Sequence, residues 1–252
     1  MSIRLVKRWG LAIVLLLSLL AYGVLLLSRL RTFQFFGGIV YRVATGEKVV
    51  ALTFDDGPAP GMTQTLLAML HRHNVRATFF LVGADIQRQP ELARSIVLAG
   101  HQLGNHSFSH QRMIFKTPAF IRHEVDQTSQ LLRDVGYRGP IIFRPPYGKK
   151  LLYLPYYLQT QHIPTIMWDL EPDSYAGIAE SAERIVAYVR EGVRPGSIIL
   201  LHAMNRQPSL DAVEPLLEQL GQQGYRFVTI SELLHGGEAA SPDPLSPARP
   251  GR

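Results

Sequence analysis

Apolar residues follow one rhythm after another along this chain. The first is unbroken: WGLAIVLLLSLLAYGVLLLS, Trp9–Ser28, carries no charge. It matches the roughly 20 apolar residues that a helix needs to cross a bilayer core. Arg4, Lys7 and Arg8 precede it, and Arg29 and Arg31 follow. A cleavable signal peptide has an apolar region of about 7–15 residues ending at a small-x-small site; Ala21-Tyr22-Gly23 is a poor version of that site. The pattern predicts an uncleaved, single-pass anchor over residues 1–31 and a juxtamembrane connector over 32–46. The heavier positive charge on the N-terminal side predicts a cytoplasmic N-terminus and an extracytoplasmic body.

From Lys48 the rhythm becomes an alternation. Short apolar runs bounded by turn residues read as strands: KVVALTFDD, RATFFLVG, HQLGNHS, IIFRPP, PTIMWDLE, SIILLH and, as a last strand and turn, RFVTISELL. Between most of them lie segments with helical spacing. TQTLLAMLHRHN puts Leu66, Leu67 and Leu70 on one side, PELARSIVLAG runs from Pro90 to Gly100, and FIRHEVDQTSQLLRDVG closes at Gly136. AESAERIVAYVREG and AVEPLLEQLGQQG complete the set. Strands alternating with helices predict parallel pairing with helices outside. The fold class is therefore α/β, a distorted or incomplete (β/α) barrel over residues 47–235, preceded by one transmembrane helix. GGEAASPDPLSPARPGR, residues 236–252, is too poor in apolar residues to fold and predicts a disordered tail.

Charge changes the picture only once it is located. A formal net charge of +6 and a pI near 9.7 would suit a nucleic-acid partner. Yet Arg4, Lys7, Arg8, Arg29 and Arg31 all precede Thr32, where no Asp or Glu occurs, and the body is nearly neutral. That distribution argues against nucleic acid and leaves the membrane as the partner of the basic end. The chain has no cysteine, which an oxidising exterior allows but does not require. No feature of the sequence sets an oligomeric state.

The polar residues that could carry chemistry collect at predicted strand ends. Asp55 and Asp56 end the first strand, and His106 and His110 follow the third. Arg144 and Tyr147 end the fourth, Trp168 and Asp169 the next, and His202 ends SIILLH. In a parallel barrel those ends share one face, where barrel enzymes carry their active sites. HSFSH spaces two imidazoles four residues apart, which on a helical turn would aim both rings the same way. That pattern alone is weak. With an Asp-Asp pair on the same face, two His and one carboxylate make a catalytic-type metal set with open positions. A divalent cation would also stabilise two adjacent carboxylates that otherwise repel. One could ligate while the other serves as general base. The alternative for DDG is a solvated turn.

TFDDGP, HSFSH, RPPYG and LLH, in this order, together with ATFFLVG, AGHQLGNH and GYRFVTI, resemble the polysaccharide deacetylases of carbohydrate esterase family four. These enzymes share the chitooligosaccharide deacetylase homology domain, and the resemblance runs from about Val49 to Leu234. It implies a distorted (β/α) barrel that removes acetyl groups from a polysaccharide. It also implies one divalent ion, zinc in the first place with cobalt or nickel as alternatives. By this resemblance Asp55 is the catalytic base, and Asp56, His106 and His110 bind the metal. Arg144 orients the base, and His202 is the general acid. Tyr147 offers its backbone N–H to the oxyanion, Trp168 and Leu200 line the acetyl slot, and Pro145 of RPPYG belongs with the substrate-binding residues. In WDLEPDSY the position expected for the acid-supporting Asp holds Ser174, so Asp173, one place earlier, and Asp169 are both candidates. The implied substrate is an N-acetylglucosamine polymer such as peptidoglycan or a chitin-like glycan. An O-acetyl esterase acting on a polysaccharide and a non-catalytic glycan-binding module are the alternatives.

Overall fold

In the computed structural model, residues 3–236 and 238–239 are described. Helix α1 (Ile3–Arg29) opens the chain. Its Trp9–Arg29 stretch of 21 residues is long and apolar enough to cross a membrane, and nearly all of it is uncovered by the domain, Ser28 near its end being buried. Strands β1 (Ile39–Val40) and β2 (Val43–Ala44) follow. Residues 32–46, expected as a connector, are thus partly built into the domain. The reason is apolar: Ile39, Val40 and Val43 are all buried.

The centre of the domain is β3 (Val49–Asp55), with all seven residues buried. It is followed by α2 (Met62–Arg72), β4 (Thr78–Leu81), α3 (Gly83–Arg88), α4 (Pro90–Leu98), β5 (Gln102–Asn105) and α5 (Pro118–Asp134). Then come α6 (Tyr153–Thr160), β6 (Thr165–Ile166), α7 (Ala182–Gly192), β7 (Ile198–Leu201), α8 (Gln207–Asp211), α9 (Val213–Gln222), β8 (Arg226–Val228) and α10 (Ile230–Gly236). A last short strand, β9 (Glu238–Ala239), pairs antiparallel with β2. The rest of the predicted tail lies outside the described residues.

The main sheet is parallel, in the order β5-β4-β3-β7, with β8 pairing the start of β3. Single bridges continue it around a ring. Asn105 bridges Phe143, Phe143 bridges Thr165, and Leu170, farther along the same segment, bridges Ile199 of β7. This is the distortion of the barrel. IIFRPP and PTIMWDLE were expected as full strands, but the first keeps only Phe143 in pairing and the second only Thr165–Ile166 and Leu170. Pro140, Pro145 and Pro146 have no N–H to donate to a ladder, which confines pairing to the short span 141–144 between them.

Side-chain parity along β3 places the site. Val50, Leu52 and Phe54 pack outward against Leu66 and Leu70 of α2 and Leu216 of α9. Val49 and Ala51 face the barrel interior with Phe80, Trp168 and Leu200. Continuing the two-residue period turns Thr53 and Asp55 inward as well. Where α1's connector enters, Gly196 has φ +80°, and a Cβ there would lie 1.7 Å from the carbonyl oxygen of Val43. Gly196→Ala should therefore cost about 2–4 kcal/mol. In a melting experiment that is a drop in Tm of roughly 5–15 °C; an unchanged Tm would show that the β2 contact is not held as described.

Candidate active site

At the C-terminal end of the barrel, Arg144 is fully buried and held from all sides. Its Nη1 donates to Asp55 Oδ1 at 2.6 Å and to Thr53 Oγ1 at 2.8 Å. Its Nη2 donates to the Met167 carbonyl at 3.1 Å. The guanidinium lies 4.0 Å from the Phe80 ring centroid and 5.4 Å from that of Trp168. Burial raises the Asp55 carboxyl above its ordinary value, while the Arg144 charge and hydrogen bond and the nearby His202 pull it down. A buried carboxylate aimed by a buried cation, with one oxygen left over, is the arrangement a positioned base requires.

Asp56, His106 and His110 each turn one ligand atom to a common point, those atoms lying within 4.8 Å of one another. His110 Nε2 is 3.2 Å from Asp56 Oδ1, and His106 Nε2 is 3.8 Å from the same oxygen. His106 Nδ1 is 2.8 Å from the Arg144 carbonyl. That contact requires N–H on Nδ1 and leaves the Nε2 lone pair facing the cluster. Burial first, then the charge of His110, pushes His106 down to about 3, so the ring is neutral and able to ligate. One carboxylate and two imidazoles at this separation fit a divalent ion of the zinc type.

The HSFSH segment is not the helical turn that its spacing suggested. Ser107 and His110 both have positive φ, 64° and 54°, and the ring centroids of His106 and His110 lie 4.9 Å apart. The loop is shaped by Glu124 of α5, whose carboxylate accepts from the N–H groups of Phe108 and Ser109 and from the Ser109 hydroxyl. Asp56 (φ 69°) and Tyr147 (φ 57°) are also in the left-handed region. Four of the seven described non-glycine residues with positive φ thus stand at this site, the kind of backbone strain found at functional sites.

Across the opening, His202 follows β7. Its Nδ1 is 3.1 Å from Asp173 Oδ1, while Asp173 Oδ2 accepts from the His202 N–H and from the Ser209 hydroxyl, each at 2.6 Å. Burial pulls His202 down, but the hydrogen bond and charge of Asp173, with Asp55 and Asp56 adding, override it and push the ring up to about 9. Asp169 is not the partner. Its carboxylate accepts from the Ser197 hydroxyl and the Ile198 N–H, 2.8 Å each, which leaves Asp173 alone on His202.

Tyr147 is exposed, its ring 4.8 Å from that of His110. It stands in the PYG turn that begins after Pro145. Trp168 borders a cavity of about 340 Å³ together with Tyr147 and Gly148, whereas Leu200 is buried beside Trp168 in the core. A second cavity, about 510 Å³, is lined by Asp56 and His110 themselves, with Pro58, Ala59, Arg88 and Asn205 among others. Sequence reasoning passed over several supporting residues. Asn205 donates to Asp56 Oδ2 at 2.5 Å, Glu171 accepts from Trp168 Nε1 at 2.8 Å, and Ser209 and Glu124 act as described above. Asn205 stands three residues after His202, so its position was the available signal.

Comparison with known proteins follows the same line. The family model described as Polysaccharide deacetylase matches residues 42–162. A peptidoglycan-N-acetylglucosamine deacetylase of Bacillus cereus is 32% identical over 200 residues, 79% of this chain and 93% of that one. A chitooligosaccharide deacetylase of a Bradyrhizobium species is 31% identical over 210 residues, 77% and 94% of the respective chains. The crystal structure of a peptidoglycan N-acetylglucosamine deacetylase bound to an N-hydroxybenzamide superposes with a TM-score of 0.72 at 32% identity, covering 77% of this chain and 91% of that one. A pseudoenzyme of the same esterase family from Bacillus anthracis superposes equally well, TM-score 0.72 at 26% identity, over 79% and 69% of the two chains. The fold alone therefore does not distinguish active from inactive relatives. By its family match, its relatives and its structural neighbours, the chain belongs to the polysaccharide deacetylase family, carbohydrate esterase family four, a family of hydrolases.

Proposed function

We propose that the protein is a membrane-anchored, metal-dependent hydrolase that removes N-acetyl groups from an extracytoplasmic glycan containing N-acetylglucosamine. The observation that carries this reading is the pairing of two opposed groups across one opening. Asp55 is a buried carboxylate aimed by Arg144, and His202 is an imidazole that Asp173 keeps protonated. A divalent ion on Asp56, His106 and His110, zinc by the donor set, would act as a Lewis acid on the acyl oxygen and lower the pKa of water from near 16 towards about 7.

Asp55 takes the proton from the attacking water through the carboxylate oxygen not bound by Arg144. The Tyr147 N–H, in the PYG turn beside His110, would donate to the developing oxyanion; one such donor is often worth about 3–4 kcal/mol. Trp168 walls the acetyl slot, and Leu200 supports that wall from behind. His202 passes its Nε2 proton to the departing nitrogen. An amide nitrogen cannot leave without that proton, whereas an ester oxygen can, so the raised His202 favours amide over ester hydrolysis. A glycan-binding module would have no use for a protonated His202 opposite an oriented carboxylate.

The full-length protein should release acetate from N-acetylated glucosamine oligosaccharides, lose that activity with a chelator and regain it with Zn²⁺ or Co²⁺. Absence of release from peptidoglycan, chitin-type and O-acetylated substrates by metal-loaded protein would overturn the reading. The basic flanks of α1 support an N-terminus inside and a catalytic domain outside.

A further inference from the structure

The end of the apolar helix is stitched to the rim of the active site. The Ser28 carbonyl accepts from the Lys150 N–H at 3.1 Å, and the Leu30 carbonyl accepts from the Lys150 ammonium at 2.5 Å. Ser28 and Lys150 are both buried by this contact. Arg31 then pairs with Glu171 at 3.0 Å and lies 5.0 Å from the Trp168 ring centroid. Phe33, Phe35, Phe36 and, on the α6 side, Leu152 and Tyr156 are exposed, and Phe36 touches Tyr156 edge-on. Exposed Phe, Leu and Tyr side chains beside the basic end of an apolar helix are of the kind that bury into a membrane interface. If α1 spans a bilayer, Arg29 marks its surface, and the Tyr147 side of the site rests there.

The cavity of about 340 Å³ on that side is lined by Arg29, Arg31, Tyr147, Lys149, Trp168 and Glu171 among others. Glu171 is answered by Arg31, which leaves Arg29 and Lys149 in excess. Arg112 adds a third cation, 5.2 Å from the Tyr147 ring centroid. Lys149 is only 7% exposed. Burial first, and then the like charges of Arg29 and Arg112, hold its ammonium below the ordinary range, with no carboxylate offsetting them. The larger cavity at His110 has no such excess, because Arg88 there pairs with Asp85. The opening is thus polarised, cationic and apolar-flanked at the α1 end, balanced at the far end. Clustered cations at a membrane surface recognise phosphate oxygens.

We propose that the substrate is a glycan whose reducing end is joined through phosphate to a membrane lipid. Its phosphate lies against Arg29 and Lys149, and its sugars run past Asp56, His106 and His110 into the larger cavity. This rests on the deacetylase reading above and narrows its substrate class. The test uses the full-length protein in phosphatidylcholine vesicles and one N-acetylglucosamine oligosaccharide in three forms: joined to polyprenyl diphosphate, joined to a neutral polyprenyl glycoside, and free in water with a terminal phosphate. Acetate release from the diphosphate-linked form should exceed both others in kcat/KM by roughly tenfold or more, since tethering and charge act together. The Arg29→Glu, Lys149→Glu double variant should shrink that ratio to near one. A neutral lipid form or a soluble phosphate form turned over as fast as the diphosphate-linked one by the parent protein would overturn the proposal, as would a ratio unmoved in the folded variant. Acetate release from the soluble form alone would leave the deacetylase reading standing and remove this one. No release from any form would remove both.

Discussion

Asp55→Asn should lower kcat for acetate release by roughly 10³-fold while leaving metal content unchanged, because the amide cannot take a proton. The two adjacent carboxylates are expected to separate cleanly in this experiment. Asp55 is committed on one oxygen to Arg144 at 2.6 Å, whereas Asp56 is the member of the pair that belongs to the cluster with His106 and His110. Metal content per chain, measured beside kcat, distinguishes them: Asp56→Ala should lose both and Asp55→Asn only the rate. The Asn carbonyl can still accept from Arg144, so the buried guanidinium is not stranded, a loss that otherwise costs about 3–5 kcal/mol. Asp55→Asn protein that binds metal and turns over at the parental rate would remove Asp55 from the chemistry.

His202→Ala should lower kcat on an N-acetyl substrate by about 10²–10⁴-fold and on the matched O-acetyl substrate much less, since the alkoxide departs more readily than an amide anion. Equal losses on both would remove the acid role. The pH profile gives a second reading. His202 acts only when protonated, and its value of about 9 lies above the ordinary 6.5, so the rate should hold through neutral pH and fall as pH rises through about 9. In Asp173→Asn the charge that opposes burial is gone, and the alkaline limb should move down by about one to three pH units. A limb that stays in place would mean another group sets it.

Much of the site was legible because a parallel barrel sends strand ends to one face. Asp55, Asp56, His106, His110, Arg144 and His202 were assigned to strand ends from apolar runs, and the structure brings them to one opening. The helix α6 went unread because its turns, YLPYYLQT, carry proline and three tyrosines in place of a clean apolar stripe. The shape of HSFSH was not legible either. Local spacing suggested a helix, but the loop is set by Glu124, more than a dozen residues away in sequence. Local rules cannot see a carboxylate delivered by another helix. The ambiguity between Asp169 and Asp173 had the same origin: both follow Trp168, and only the turn at Pro172–Ser174 decides which one meets His202.

The inward parity of Thr53 and Asp55, set against the outward packing of Leu52 and Phe54, has a consequence for how this chain can vary over time. A single-codon insertion within Val49–Phe54 would preserve a largely apolar segment and yet bring the Phe54 ring to the guanidinium in place of the Asp55 carboxylate. Lineages carrying such a slip would lose the reaction and weaken the scaffold, because the buried Arg144 guanidinium is left without its carboxylate. Drift on the outward faces of the surrounding helices would leave both intact.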